Sequence, residues 1–171
     1  MLVPRSASSV AAVVLSILVS ACATGRTVIT LPQPKVVPAS DLGASQRTVF
    51  VNAVTDSRIF EDAPSEPSTP SLGIAPASAS SEEIKARAIA RKRHGYGLAQ
   101  GDVILAEPLT VRQVVKASLE SAFTEAGFRV VAQGGSATPA QVHVKQFWLW
   151  LQPGVMVGTI RSRVSATTRT A

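Results

Sequence analysis

Apolar and polar positions along this chain recur with two different periods, and each change of period marks an element. From Val111 to Ala126 the period is helical, with Val111, Val114, Val115, Ser118, Leu119, Ala122, Phe123 and Ala126 along one stripe. Thr110 precedes it as N-cap, Gln113 stands three residues on as its capping-box partner, and Leu109 faces Val114 as a hydrophobic staple. Gly127 falls where a helix ends in a left-handed residue, and Phe128 is placed to touch Phe123 in a Schellman closure. Elsewhere the period is two. Thr48–Thr55 sets Val49, Val51 and Ala53 against Phe50, Asn52 and Val54, so both faces are apolar enough for an interior strand, which Asp56-Ser57-Arg58 ends.

Phe128–Ala132 follows the helix as a short strand, closing a β–α–β unit with the extended piece Asp102–Ala106 before it. In Gln141–Leu151, alternation puts Val142, Val144, Trp148 and Trp150 on one face and His143, Lys145, Phe147, Leu149 and Leu151 on the other. Pro153-Gly154 then turns the chain into Met156–Thr168, whose apolar Met156, Ile160, Val164 and Ala166 oppose Thr159, Arg161, Arg163 and Thr167. That predicts an antiparallel hairpin with one polar face. The fold class expected is α+β: one principal helix on a mixed, mainly antiparallel sheet, with a long flexible insertion. With Trp148 and Trp150 placed under that helix, the face bearing Phe147, Leu149 and Leu151 is left bare. It awaits a C-terminal element beyond Ala171 or a partner.

Three stretches lack either period. Residues 22–47 are punctuated by Pro32, Pro34 and Pro38 and read as a tether, with room for a short strand at Thr27–Leu31. Residues 61–81 mix Pro64, Pro67, Pro70 and Pro76 with Ser, Ala, Glu and Gly, a composition expected to stay disordered. Residues 82–93 are ambiguous. Ser80 and Glu83 stand at capping-box spacing and the acids precede the bases, as a helix dipole prefers, but the apolar face is thin.

The amino terminus adds an address. The apolar run Val10–Val19 is too short to span a bilayer and has the length of a signal-peptide core behind Arg5. Val19-Ser20-Ala21-Cys22 then has the form of a lipobox, and Cys22 is the chain's one cysteine. The expected organisation is a signal peptide over residues 1–21, acylated Cys22 with its tether to residue 47, and a periplasmic domain over residues 48–171. No cofactor is expected beyond the diacylglycerol and N-acyl lipid on Cys22. Ala23, in place of an aspartate that would retain the protein in the inner membrane, favours the outer membrane.

The formal charge of +6 and pI near 10.3 would suit nucleic acid, but a secreted, lipid-anchored domain does not meet it. The densest basic segment carries Lys85, Arg87, Arg91, Lys92 and Arg93, a candidate contact for anionic lipid or envelope polymer and equally a solvated face. Only His94 and His143 are available as imidazole ligands, without metal-site spacing, so no metal is expected. Asp56 and Asp102 flank the insertion, but carboxylates at element ends usually cap or pair. No nucleophile–base arrangement accompanies them. Gly95 and Gly97 lack the rest of a phosphate loop and mark a turn.

Several of these features occur together in one known family. The lipobox, the Pro-rich start, the strand ending Asp56-Ser57-Arg58, the stretch Arg91–Asp102 centred on Gly95-Tyr96-Gly97, and Pro108-Leu109 opening a helix closed by Gly127-Phe128 resemble the YajG-like bacterial outer-membrane lipoproteins. The resemblance covers roughly residues 48–168 beyond the anchor. It implies a small α+β periplasmic domain with an envelope role and no catalytic residues. The chain departs from that pattern in its Pro/Ser insertion and in stopping at Ala171, where such proteins continue through a further strand and helix. The function expected is a non-catalytic accessory or adaptor to an envelope protein, with Phe147, Leu149 and Leu151 as partner-facing residues. The alternative is a module that binds anionic lipid or polymer through residues 85–93. An envelope hydrolase is the reading the residues support least.

Overall fold

The computed structural model describes residues 25–32, 47–93, 98–152 and 158–170. Cys22, the expected signal segment, residues 33–46, His94-Gly95-Tyr96-Gly97 and the expected turn at Pro153-Gly154 lie outside them. The described elements run β1 (Thr27–Ile29), β2 (Thr48–Asp56), α1 (Glu82–Arg87), β3 (Ala88–Arg93), β4 (Ala99–Leu105), α2 (Val111–Glu125), β5 (Arg129–Val130), β6 (Thr138–Gln152) and β7 (Thr159–Thr170). All seven strands join one mixed sheet, so the chain is α+β. The expected antiparallel predominance needs correcting: β3–β4 and β6–β7 are antiparallel, but the other four pairings are parallel.

β6 is the axis of the sheet. Ala140 pairs with Val51 of β2 and Thr170 of β7, whereas Leu149 pairs with Ala90 of β3 and Ser162 of β7. β2 and β3 therefore follow one another along one edge of β6, and β7 runs along the other. β2 is interior, as both its apolar faces suggested, lying between β6 and β5. β5 pairs with β2 rather than with β4, the strand that precedes the helix. Part of the expected tether belongs to the sheet, since Thr27–Ile29 pairs in parallel with Val103–Leu105.

The helix follows its sequence signals closely. Thr110 accepts from Gln113 N, and the Gln113 side chain accepts from Thr110 N at 2.7 Å, completing the capping box. At the other end Gly127 has φ +84°, Phe128 N donates to Phe123 O and Gly127 N to Thr124 O, both at 2.9 Å. The rings of Phe123 and Phe128 meet edge to face at 5.8 Å. Its buried stripe drifts, however: Ser118, Ala122 and Ala126 are exposed, while Ser121 and Thr124 are buried. Those hydroxyls stay satisfied, Thr124 on Glu120 O and Ser121 on the Glu125 carboxylate.

Two bulges overturn the expected strand faces. A register shift between Val144 and Gln146 inserts one residue into β6, and the period-two alternation reverses beyond it. Val142 and Val144 pack with Val111 and Val115 of the helix, and Phe147 and Leu149 join that same cluster. Trp148 and Trp150 turn to the opposite side, with Leu72, Phe60, Ala88 and Ile104. The tryptophans therefore do not lie under the helix, and Phe147 and Leu149 are not left bare. In β2 a similar shift between Val51 and Ala53 leaves Asn52 and Ala53 exposed and brings Val54 to the helix-side core.

The second face is covered from within the chain. Residues 61–81, expected to be disordered, lie over Trp148 with Pro64, Pro70, Ser71, Leu72 and Ala77 buried. Polar side chains of the sheet meet two backbone groups and one hydroxyl of the insertion. Trp148 Nε1 donates to Pro67 O at 3.3 Å, Arg91 to Ser71 Oγ at 3.2 Å, and Gly73 N to the Asp102 carboxylate. Within the insertion, Glu61 N donates to Pro70 O at 3.0 Å, and Ser78 donates twice to Asp62.

Candidate functional site

The basic segment predicted as one contact does not form one face. Its first part is the six-residue helix α1, capped by Ser81 rather than Ser80, and its second is strand β3. Lys85 pairs with Glu82 at 2.7 Å. Arg87 is buried, donating to Leu105 O at 2.9 Å and to the Glu107 carboxylate. Arg91 reaches Ser71 under the insertion. Burial, and after it the neighbouring Arg93 charge, lower its pKa, while Asp102 acts in the opposite direction. Arg93 approaches Pro64 O, and Lys92 is half-buried. These charges are divided among an ion pair, the sheet interior and the underside of the insertion. Of the three residues expected to face a partner, Leu151 alone is exposed. Cys22 and His94 are outside the described residues. His143 is half-buried in β6, between Thr55 and Thr167.

The two flanking aspartates have separate partners. Asp102 is fully buried and holds Arg26 at 3.2 Å as well as the Gly73 amide. Asp56 grips Arg58 in a fork, Nε to Oδ1 at 2.8 Å and Nη2 to Oδ2 at 2.7 Å. The Arg58 guanidinium is buried where β2 has left the edge of β6 and β3 has not yet joined it. There it donates to Ala88 O at 2.6 Å, Lys85 O at 2.8 Å and Phe147 O at 3.3 Å. One side chain thus bonds two strand carbonyls at a gap in the ladder and a third in the last turn of α1. Both aspartates are thus ion-paired, as expected of carboxylates at element ends.

An open cleft of about 950 Å³ lies beside this node, lined by Asp56, Phe60, Asp62, Ser78, Glu82 and Arg112 among others. Its best-placed charges are already engaged, Asp56 by Arg58, Asp62 by Ser78 and Glu82 by Lys85. The two Ser78 bonds hold the Asp62 carboxyl below the usual carboxylate range. Among the described residues no group of three or more His, Cys, Asp or Glu is placed to hold a metal, and no helix is long and apolar enough to cross a membrane.

The surface that stands out is β7. Thr159 to Arg169 are all exposed, and β7 is paired on its β6 side alone among the described residues. Its two faces differ. Arg161 and Arg163 sit opposite Trp150 and Trp148 of β6, Arg169 opposite Gln141, and Ser165 and Thr167 complete a face of hydrogen-bond donors. The Arg163 guanidinium lies over the Trp150 ring at 5.7 Å. The other face carries Ile160, 74% exposed, and Val164, 64% exposed, beside half-exposed Leu151.

A signal in the sequence pointed here. No Asp or Glu follows Glu125, whereas Arg129, Lys145, Arg161, Arg163 and Arg169 do, so five of the six net positive charges fall in the last 46 residues. The local density of residues 85–93 obscured this asymmetry. Comparison with protein-family models, curated proteins and solved structures returned no match.

Proposed function

We propose that the chain is a non-catalytic envelope lipoprotein, anchored through acylated Cys22 to the periplasmic side of the outer membrane and acting as an adaptor to another envelope protein. The single observation that carries this reading is β7. It is a twelve-residue strand exposed on both faces and paired, among the described residues, on its β6 side alone, whereas the helix packs on one face of the sheet and the insertion on the other. A long open edge offers rows of N–H and C=O groups to another chain, and folded proteins usually shorten or cover such edges. The lipobox and the resemblance to YajG-like lipoproteins support the address.

The test has two parts. Metabolic labelling with a palmitate analogue should mark the wild-type protein and not Cys22→Ser, since a hydroxyl is a far poorer nucleophile than a thiolate. Undiminished label in the mutant would remove the anchor. A photo-crosslinking residue at Ser162 should give a discrete protein adduct in intact cells, and one at Arg112 should not. Equal adducts from the two sites, or none from Ser162, would remove the adaptor reading.

A further inference from the structure

We propose that β7 receives an extended segment of a partner protein whose alternate residues are acidic and apolar, added to the sheet as a further strand. This rests on the adaptor reading above and names the chemistry of the partner.

Three features of β7 define that segment. The outer edge fixes its backbone. In a ladder every second residue of β7 turns its N–H and C=O away from β6, and an incoming strand lying about 4.8 Å away would pair with those groups. The basic face fixes one set of side chains. Cross-strand neighbours lie about 4.5–5.5 Å apart, so residues opposite Arg161, Arg163 and Arg169 are within reach of carboxylate–guanidinium pairing. The apolar face fixes the other set. Residues beside Ile160 and Val164 would cover side chains that now stand in water next to Leu151.

The same features disfavour other occupants. A second copy of this chain, paired antiparallel in one continuous sheet, would bring its basic face beside the first, with no acidic residue after Glu125 on either copy to offset the repulsion. An anionic bilayer would attract the arginines but leave the edge groups and the Ile160–Val164 face unused. Position also favours protein. β1, close in sequence to the proposed anchor, and β7 are separated by β4, β3 and β6, four strand spacings or about 19 Å. That is about twice the Debye length of 8–10 Å, so β1 can sit at the bilayer while β7 stands beyond its field.

The test uses the full chain in mild detergent and labelled ten-residue peptides, read by fluorescence anisotropy at physiological salt. The probe alternates Asp with Val. Its controls are a scrambled peptide of the same composition, a version N-methylated at every second amide, and a version with Lys for Asp; vesicles containing phosphatidylglycerol form a separate arm. The alternating peptide should bind saturably, and the scrambled and N-methylated peptides at least tenfold more weakly. Arg161→Glu with Arg163→Glu should weaken the Asp peptide at least tenfold and strengthen the Lys peptide. The probe series on the wild-type protein is decisive even if that double variant folds poorly. Equal binding of scrambled or N-methylated peptide, no binding of any peptide, or binding to vesicles alone would each overturn the inference. A crosslinked partner at Ser162 combined with failure here would leave the adaptor reading standing, whereas absence of the crosslink would remove that reading itself.

Discussion

The two faces of the sheet are covered in opposite ways. One lies under α2, a periodic element with a cap at each end, and its core of Val111, Val115, Val142, Val144, Ile89 and Leu105 is aliphatic throughout. The other lies under residues 61–81, which have no periodicity, and its centre is a single tryptophan with Leu72, Ala88 and Ile104 around it. The helix meets its own backbone hydrogen bonds and contributes mainly apolar area. The insertion does so only at a few turns. It relies on side chains of the sheet, Trp148, Asp102 and Arg91, to donate to or accept from it. A segment poor in apolar residues can therefore be ordered when the surface beneath it presents matched polar groups.

The largest effect is expected of Trp148→Ala, which should cost about 3–5 kcal/mol by removing the centre of the insertion-side core. Hydrogen exchange should rise first in residues 60–80 while α2 stays protected. Equal deprotection of the two covers would mean that they form one cooperative unit. Arg58→Met should cost about 3 kcal/mol, leaving Asp56 unpaired and removing the guanidinium that the carbonyls of Lys85, Ala88 and Phe147 share. Because this node joins β2, β3 and β6, its loss should loosen both covers together, as a lowered urea midpoint with uniform exchange.

On the helix side alone, Gly127→Val should cost about 1–2 kcal/mol, because a β-branched residue resists φ +84°. Thr110→Ala should cost about 1 kcal/mol through loss of the N-cap bond. Unchanged urea midpoints for both would contradict the helix ends described above. The smallest effect concerns Asp62, whose pKa the Ser78 bonds depress. A depressed carboxylate stabilises fully above its unfolded value near pH 4 and loses that contribution as pH falls through its folded value. Tryptophan emission reporting on Trp148 should thus be flat from about pH 5 to 8 and shift slightly at lower pH. Asp62→Asn should remove that step.

What could be read from the sequence follows the same division. The helix was legible at both ends because cap and stop are local signals, whereas its buried stripe was legible only in its first half. The strands other than β3, which lay in the ambiguous stretch 82–93, were legible as segments, but the side each residue takes was not. One extra residue in β6 between Val144 and Gln146 reverses every face assignment beyond it, and alternation carries no mark of a bulge. The misplacement of Trp148 and the apparent bareness of Phe147 and Leu149 have that single cause. The insertion was misread because composition measures what a segment can bury by itself, not what Asp102 and Trp148 hold in place from distant strands. The Arg58 node is likewise invisible locally, since its acceptors lie up to 89 residues away. The candidate edge at β7 was half legible. Its polar face was visible in the alternation, but the charge asymmetry appears only when the chain is divided at Glu125.

The short distance from Cys22 to β1 has a mechanical consequence. Cys22 and Arg26 are four residues apart, at most about 14 Å of contour. With Cys22 acylated, any drag on a partner held by the domain would reach the bilayer through β1. The first load would fall on the Gly25 amide bonded to Gln100 O and on the Arg26–Asp102 pair, where a Cβ at Gly101 would run into the Gly25 carbonyl. A pull along the axis of β1 loads its bonds to β4 in shear, so they share the force, whereas a sideways pull peels them one at a time. The attachment would then resist in one direction and yield in another, and because Ile29 packs against the helix-side core, a peeled β1 would pass the load on to that core.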